Sequence, residues 1–223
     1  MLWARKAPKR SAAQKKTELR PLISLLLRRR PKVVLEIGTY RGGTLWLWCR
    51  VAARDALIIS IDLPGGSFGG GYDEAQEDHF RSFTKPRQKL LLLREDSHDP
   101  TTVEKVQAAL AGRPIDFLFI DGDHTYDGVR RDFEMYSPLV RAGGVVAFHD
   151  IVTLDQGAEV SVFWNELKQR GYEVREFVDS AWGPDYGIGV VFAVPDVPSE
   201  LRRKDDAEHV VAASPGEYGV AGH

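Results

Sequence analysis

Four aspartates follow short apolar runs: Asp62 after residues 56–61, Asp96 after 90–93, Asp121 after 115–120 and Asp150 after 145–148. A carboxylate accepts hydrogen bonds from sugar hydroxyls or holds a cation. Two histidines accompany the later pair, in Asp121-Gly-Asp-His124 and His149-Asp150. An imidazole gains or loses a proton near neutral pH, as a general base must. One such run ending in a carboxylate would mean little. Four, with two histidines beside them, make a candidate site.

Ahead of them, VVLEIGTYRGGT reads as a strand, then Glu36-x-Gly38-x-x-x-Gly42, then a helix. Gly38 allows a sharp turn, and Gly42 lets backbone approach a ligand with no Cβ in the way. The helix that follows presents N–H groups suited to a carboxylate or phosphate. Thr39 and Tyr40 stand where a dinucleotide loop needs its second glycine, and no Gly-Lys-Ser/Thr follows. Those two absences exclude the NAD-type fingerprint and the triphosphate loop. Asp62 lies about 20 residues further on, where an acid at the second strand's tip binds ribose hydroxyls.

Taken in order, VLEIGTYRGGT, IISIDLP, REDSHD, IDGDHTYDG and GGVVAFHDI resemble the successive motifs of class I S-adenosylmethionine (SAM) methyltransferases, across residues 31–194. The chain is most similar to small O-methyltransferases of the catechol and caffeoyl-coenzyme A type, and to those acting on macrolide sugars and cephalosporin-type natural products. The resemblance implies SAM as cofactor and a small hydroxylated acceptor, a sugar or a secondary metabolite. It implies that Glu36 and Gly38 line the methionine side within the loop completed by Thr39, Tyr40 and Gly42, and that Thr44 holds the carboxylate. Asp62 would take the ribose, with Asp96 and Ser97 beside the adenine. Metal-dependent relatives place an Asp at the position of Asp121 and a base three residues on, Lys in the catechol type and His in the macrolide-sugar type. His124 fills that slot. The implied roles are His124 as general base, Asp121 as a catalytic and cofactor-facing residue, and Asp121 and Asp150 as metal ligands with His149 as a third. An oxygen-rich site favours Mg²⁺, with Ca²⁺ or Mn²⁺ as alternatives. Relatives have Asp-Asn or Glu-Asp where this chain has His149-Asp150, and His149 reads equally as a hydrogen-bonding wall residue. Among the other histidines, His98 alone is placed to touch the cofactor.

The elements that must position these residues follow from periodicity. Helical spacing predicts helices over residues 17–30, 44–53, 102–110, 126–140 and 160–170. Apolar runs predict strands over 32–37, 56–61, 90–93, 115–120, 145–148, 172–178 and 188–194. Short, continuously apolar strands alternating with helices imply a Rossmann-like, doubly wound α/β fold: a mostly parallel, seven-stranded sheet with helices on both faces. Ligands in such sheets sit beyond the carboxyl ends of the strands. The glycine-rich stretch 64–71 is read as a flap over the ligand or as a plain loop. Residues 153–157 and 182–187 are read as walls of the acceptor pocket. Trp46, Trp48, Phe163 and Trp164 are assigned to the core.

The 223 residues fit one domain, 17–195, between a basic arm, 1–16, and a polar tail, 196–223. Residues 1–32 carry eleven Lys and Arg against the single acid Glu18. That arm is read as a solvated extension in preference to a nucleic-acid-binding segment. No run reaches the roughly 20 apolar residues that span a bilayer. Cys49 is the only cysteine, which excludes an intrachain disulfide and points to a reducing, cytoplasmic setting. Relatives often associate, so a homo-oligomer is expected. Two rival readings stay open: a hydroxylase on the same framework, and an RNA-binding methyltransferase-like protein using the basic arm.

Overall fold

The computed structural model describes residues 14–68, 71–152, 159–178 and 186–193. Seven strands form one sheet: β1 (Val33–Ile37), β2 (Leu57–Ile61), β3 (Lys89–Leu93), β4 (Ile115–Ile120), β5 (Val140–His149), β6 (Val174–Phe177) and β7 (Ile188–Phe192). Their order is β3-β2-β1-β4-β5-β7-β6, with β1 to β5 parallel and β7 antiparallel to both its neighbours. The six helices among the described residues are α1 (Lys16–Arg29), α2 (Gly43–Val51), α3 (Glu74–Arg81), α4 (Pro100–Leu110), α5 (Tyr126–Tyr136) and α6 (Val160–Gln169). The Rossmann-like, mostly parallel sheet expected from the sequence is present.

Period-two alternation splits the core between the sheet's faces. Phe117, Phe119, Val145 and Ala147 join the apolar residues of α1 and α2 on one face. Leu118, Ile120, Val146 and Phe148 join those of α4, α5 and α6 on the other. Trp46, Trp48, Phe163 and Trp164 are buried as expected, and Cys49 is fully enclosed, its thiol pushed up to about 12 by burial. No helix among the described residues is long and apolar enough to cross a membrane.

Two differences from expectation have local causes. The helix expected to reach residue 140 ends at Tyr136, because Pro138 has no N–H to donate to Glu134 and its ring crowds that carbonyl, and a 3-10 turn, Ser137–Leu139, follows. Strand β5 then starts at Val140, with a register shift against β4 and Gly143 at φ +66°. Helix α3 had no counterpart among the predicted helices. Its one buried residue is Phe80, too sparse for an amphipathic stripe, but its start is marked by the Asp73–Gln76 capping box.

Strand order reverses between β1 and β4, which opens a crevice at their carboxyl ends. The backbone stitches the tips together: Gly38 N–H donates to Ile61 O, Asp121 N–H to Ile37 O, and Asp62 N–H to Leu93 O, each at 2.9 Å. Asp62, Asp121 and the loop holding Asp96 are thereby set side by side.

Candidate active site

A cleft of about 190 Å³ lies over those tips, lined by Gly38, Tyr40, Asp62, Asp96, Ser97 and Asp121 among others. Gly38 is at φ +92°, and a Cβ there would lie 2.0 Å from the Asp121 carbonyl oxygen. Only glycine lets the turn press that closely on β4. Gly42 makes room for a neighbour from within the fold. Its missing Cβ makes room for the Phe80 ring, at 2.5 Å, so the loop is seated on α3 there. Tyr40 N–H donates to Asp62 Oδ2, which ties the glycine loop to the tip of β2.

Glu36, Thr39 and Thr44 stand behind this loop. Glu36 is fully buried; Trp48 Nε1 donates to its Oε1 at 2.7 Å and the Ser60 hydroxyl to its Oε2 at 3.0 Å. Burial pushes its carboxyl up to about 8, against the pull of hydrogen bonds from Thr44, Ser60 and Trp48. Thr39 completes the network through Ser60. These three residues support the loop from within the fold, Thr44 bonded to Glu36 directly and Thr39 through Ser60.

On the other side of Asp121 the chemical groups converge. His124 Nε2 is 3.5 Å from Asp121 Oδ1, and its Nδ1 is 3.2 Å from Asp150 Oδ2. Asp121, His124 and Asp150 each offer a donor atom within 4.8 Å of the others, close enough to share one cation. His149 is placed differently. Its Nδ1 lies 3.3 Å from Asp121 and 3.0 Å from Asp150, while Nε2 faces Glu18 at 3.5 Å. It occupies the wall position between the carboxylates, and the converging trio contains His124 in its place.

Charge in this cluster is mutually held. Burial would raise the Asp121 carboxyl, but the His149 charge and hydrogen bonds from His124 and His149 outweigh it and hold it at about 2. Burial would lower both imidazoles, but Asp121, with Asp150 beside it, raises His124 and carries His149 well above its ordinary value. The carboxylates thus favour the protonated form of both rings.

Two contributors come from the N-terminal end, where sequence reasoning did not look. Gln14 Nε2 donates to Asp121 Oδ2, and Gln14 is itself buried. Glu18, in the first turn of α1, is fully buried and accepts from Gly187 N–H at 3.3 Å. Two aromatic rings flank the cluster. Phe68, from the glycine-rich stretch, stacks on His124 with centroids 4.8 Å apart, and Tyr186 stacks on His149 at 6.0 Å. Of the expected acceptor walls, Tyr186 and Gly187 are seen; residues 153–157 and 182–185 lie outside the described residues, as do the arm through residue 13 and the tail from 194.

A methyltransferase-domain family model matches residues 35–151, over half of the sequence and all of the strand tips that build the cleft. The chain belongs to that family. Similar proteins include y4gI, an uncharacterised protein of Sinorhizobium fredii (29% identical over 170 residues, 73% of this chain), and R132, an uncharacterised protein of Acanthamoeba polyphaga mimivirus (31% identical over 116 residues, 52% of this chain). The chain spans 17% and 50% of their lengths, respectively. Among solved structures, the fold matches the O-methyltransferase TomG of Streptomyces achromogenes, determined with SAM, at a TM-score of 0.57 and 18% identity, covering 86% of this chain and 88% of that one. It also matches an O-methyltransferase of Bacillus cereus bound to S-adenosylhomocysteine (SAH), at 0.55 and 17%, covering 86% and 91%. The class I methyltransferase fold expected from the motifs is thus the fold found.

Proposed function

We propose that this methyltransferase-family domain moves the methyl group of SAM to a hydroxyl oxygen of a small acceptor. The observation that carries the reading is the meeting of Asp121, His124 and Asp150 beside the cleft that Gly38 and Asp62 frame. Asp62 receives the ribose hydroxyls, Asp96 and Ser97 flank the adenine, and the methionyl end runs over Gly38 towards Asp121. Methyl transfer is an in-line displacement, so the acceptor oxygen must be held against the methyl carbon and its proton removed. His124, whose ring stacks on the cleft-lining Phe68 and whose Nε2 lies 3.5 Å from Asp121, is the residue that takes this proton. Asp121 and Asp150 would hold a divalent cation, Mg²⁺ first on the oxygen donors, which leaves His124 to act as the base. Bound there, such an ion would draw in the acceptor oxygen, lower its pKa and offset the carboxylates that otherwise favour the protonated form of His124. Phe68 and Tyr186 give the acceptor pocket its exposed walls.

Calorimetry with SAM and SAH, with and without Mg²⁺, tests the reading. Binding of both is expected, tighter for an acceptor probe when Mg²⁺ is present. Indifference to SAM together with tight NAD binding would overturn the assignment.

A further inference from the structure

The amino ends of the parallel strands form a second charged surface, at the far end of the sheet from the cleft. A base stands at each of the five: Lys32 before β1, Arg54 before β2, Lys89 opening β3, Arg113 before β4 and Arg141 second in β5. The segments that turn here, residues 28–32, 50–55, 85–89, 113–116 and 141–144, hold eleven Lys and Arg against two acids, Asp55 and Asp116. Asp116 is already taken by Arg141 and by the backbone N–H groups of Lys32 and Val33. The segments are drawn together. Ala53 N–H donates to Pro31 O and Lys89 N–H to Ala56 O, each at 2.9 Å, and Arg29 donates to Gly143 O at 2.6 Å. Lys85 registers the crowding: burial lowers it, and the charges of Arg50, Arg30 and Arg54 lower it further.

Structural needs account for part of this charge. Arg28, Arg29 and Arg50 stand in the last turns of α1 and α2, where a cation offsets the helix dipole. Lys85 donates to the carbonyls of Arg50 and Ala52, and Arg113 to that of Leu110 at the end of α4. Lys32, Arg54, Arg87 and Lys89 have no such duty. All four are exposed, and none has a carboxylate partner among the described residues. Like charges gathered without partners repel one another and weaken the fold, so a partner outside the chain is called for.

The chemistry of the face selects that partner. Five strands at about 4.8 Å spacing spread it over about 19 Å. That is wide enough to meet the phosphate rows on both sides of a groove about 12 Å across. Eight of the eleven bases are arginine, whose planar fork matches phosphate. The five segments contain no aromatic residue on which unpaired bases could stack. They also expose no large apolar side chain to enter a bilayer.

We propose that this face grips the phosphate backbone of a nucleic-acid duplex, without reading its sequence, and anchors the domain with its cleft turned away. The anchoring is independent of the chemistry assigned to the cleft. It is also separate from the basic arm, which joins the described chain at Gln14, beside Asp121, whereas α1 carries Arg28 and Arg29 to the opposite end of the sheet.

Fluorescence anisotropy of the full chain with a labelled, mixed-sequence DNA duplex of about 20 base pairs tests this. With about six phosphates neutralised, wild-type affinity is expected to fall about 10³-fold between about 50 and about 200 mM salt. The surface variant Arg54→Gln/Arg87→Gln/Lys89→Gln is expected to keep the wild-type urea midpoint and to flatten the slope of log affinity against log salt by about 3. The arm variant Arg5→Gln/Lys6→Gln/Lys9→Gln/Arg10→Gln is expected to leave that slope as it is. Binding that is absent or indifferent to salt, a slope unchanged in the surface variant, or a slope that only the arm variant flattens would each overturn the proposal. So would displacement of the duplex by phosphatidylserine–phosphatidylcholine vesicles of equal total charge, which would assign the face to a lipid surface instead.

Discussion

Glu36→Gln isolates the electrostatic cost of the residue at the heart of the glycine loop. In the native fold its carboxyl is raised from 4.5 to about 8, chiefly by burial. The unfolded chain releases the proton above 4.5, whereas the folded chain keeps it until about 8. Between those values the native state binds one more proton, so its stability falls as pH rises and levels off above the folded pKa. Each unit of pH in that window is worth about 1.4 kcal/mol, so at neutrality the wild type has lost about 3 kcal/mol relative to acid conditions from this group alone. Glutamine is neutral throughout, can accept from Trp48 Nε1 through its carbonyl, and can donate to the Ser60 hydroxyl. Urea unfolding of the ligand-free proteins, from about pH 5 to about pH 8, reads the difference directly. The stability of wild type minus Glu36→Gln should decline across the range by about 4 kcal/mol. A difference that stays flat would mean that Glu36 is ionised in the fold, and the account of a proton-holding network behind the loop would be wrong.

Gly38→Ala is expected to cost about 3 kcal/mol or more in unfolding free energy, because the new Cβ meets the Asp121 carbonyl at 2.0 Å in left-handed backbone; a urea midpoint equal to wild type would contradict that. Asp62→Ala should weaken SAH binding by about 10- to 100-fold in calorimetry, the range for a lost hydrogen bond to a charged group. Unchanged affinity would place the ribose elsewhere. His124→Ala should lower methyl transfer by about 10²- to 10⁴-fold with SAH affinity preserved. Excess chelator should abolish transfer if Asp121 and Asp150 act through a cation, and undiminished turnover in chelator would remove the metal from the scheme.

The fold was legible because the parallel strands are buried on both faces, which leaves continuous apolar runs such as LIISI and IDFLFI. It was less legible where burial and regularity part company. Strand β5 opens with half-buried Val140 and Arg141 and exposed Ala142 and Gly143, so helical spacing carries the preceding helix through Val140 and the apolar run marks the strand only from Val145. Helix α3 hides for the same reason, since charged and polar residues surround a single buried Phe80.

The site divides along the same physical line. Asp62, Asp121, His124 and Asp150 are adjacent to apolar strand ends, so sequence position alone places them at the crevice. Glu18 and Gln14 act across the fold, on partners 169 and 107 residues away, and no local pattern reports such a contact. The one available sign was charge: Glu18 is the lone acid among eleven bases in residues 1–32, on the helix whose apolar face meets the sheet. An acid in that setting has neighbours enough at the surface, yet it is withdrawn from all solvent and set against His149 instead. That placement also explains how a histidine can stand buried at the tip of β5. A buried imidazolium is tolerated only when its charge is answered, and here carboxylates answer it from α1, from the tip of β4 and from Asp150. His149 and Glu18 therefore act as one buried charge pair drawn from two ends of the chain, visible only once α1 is laid against the sheet.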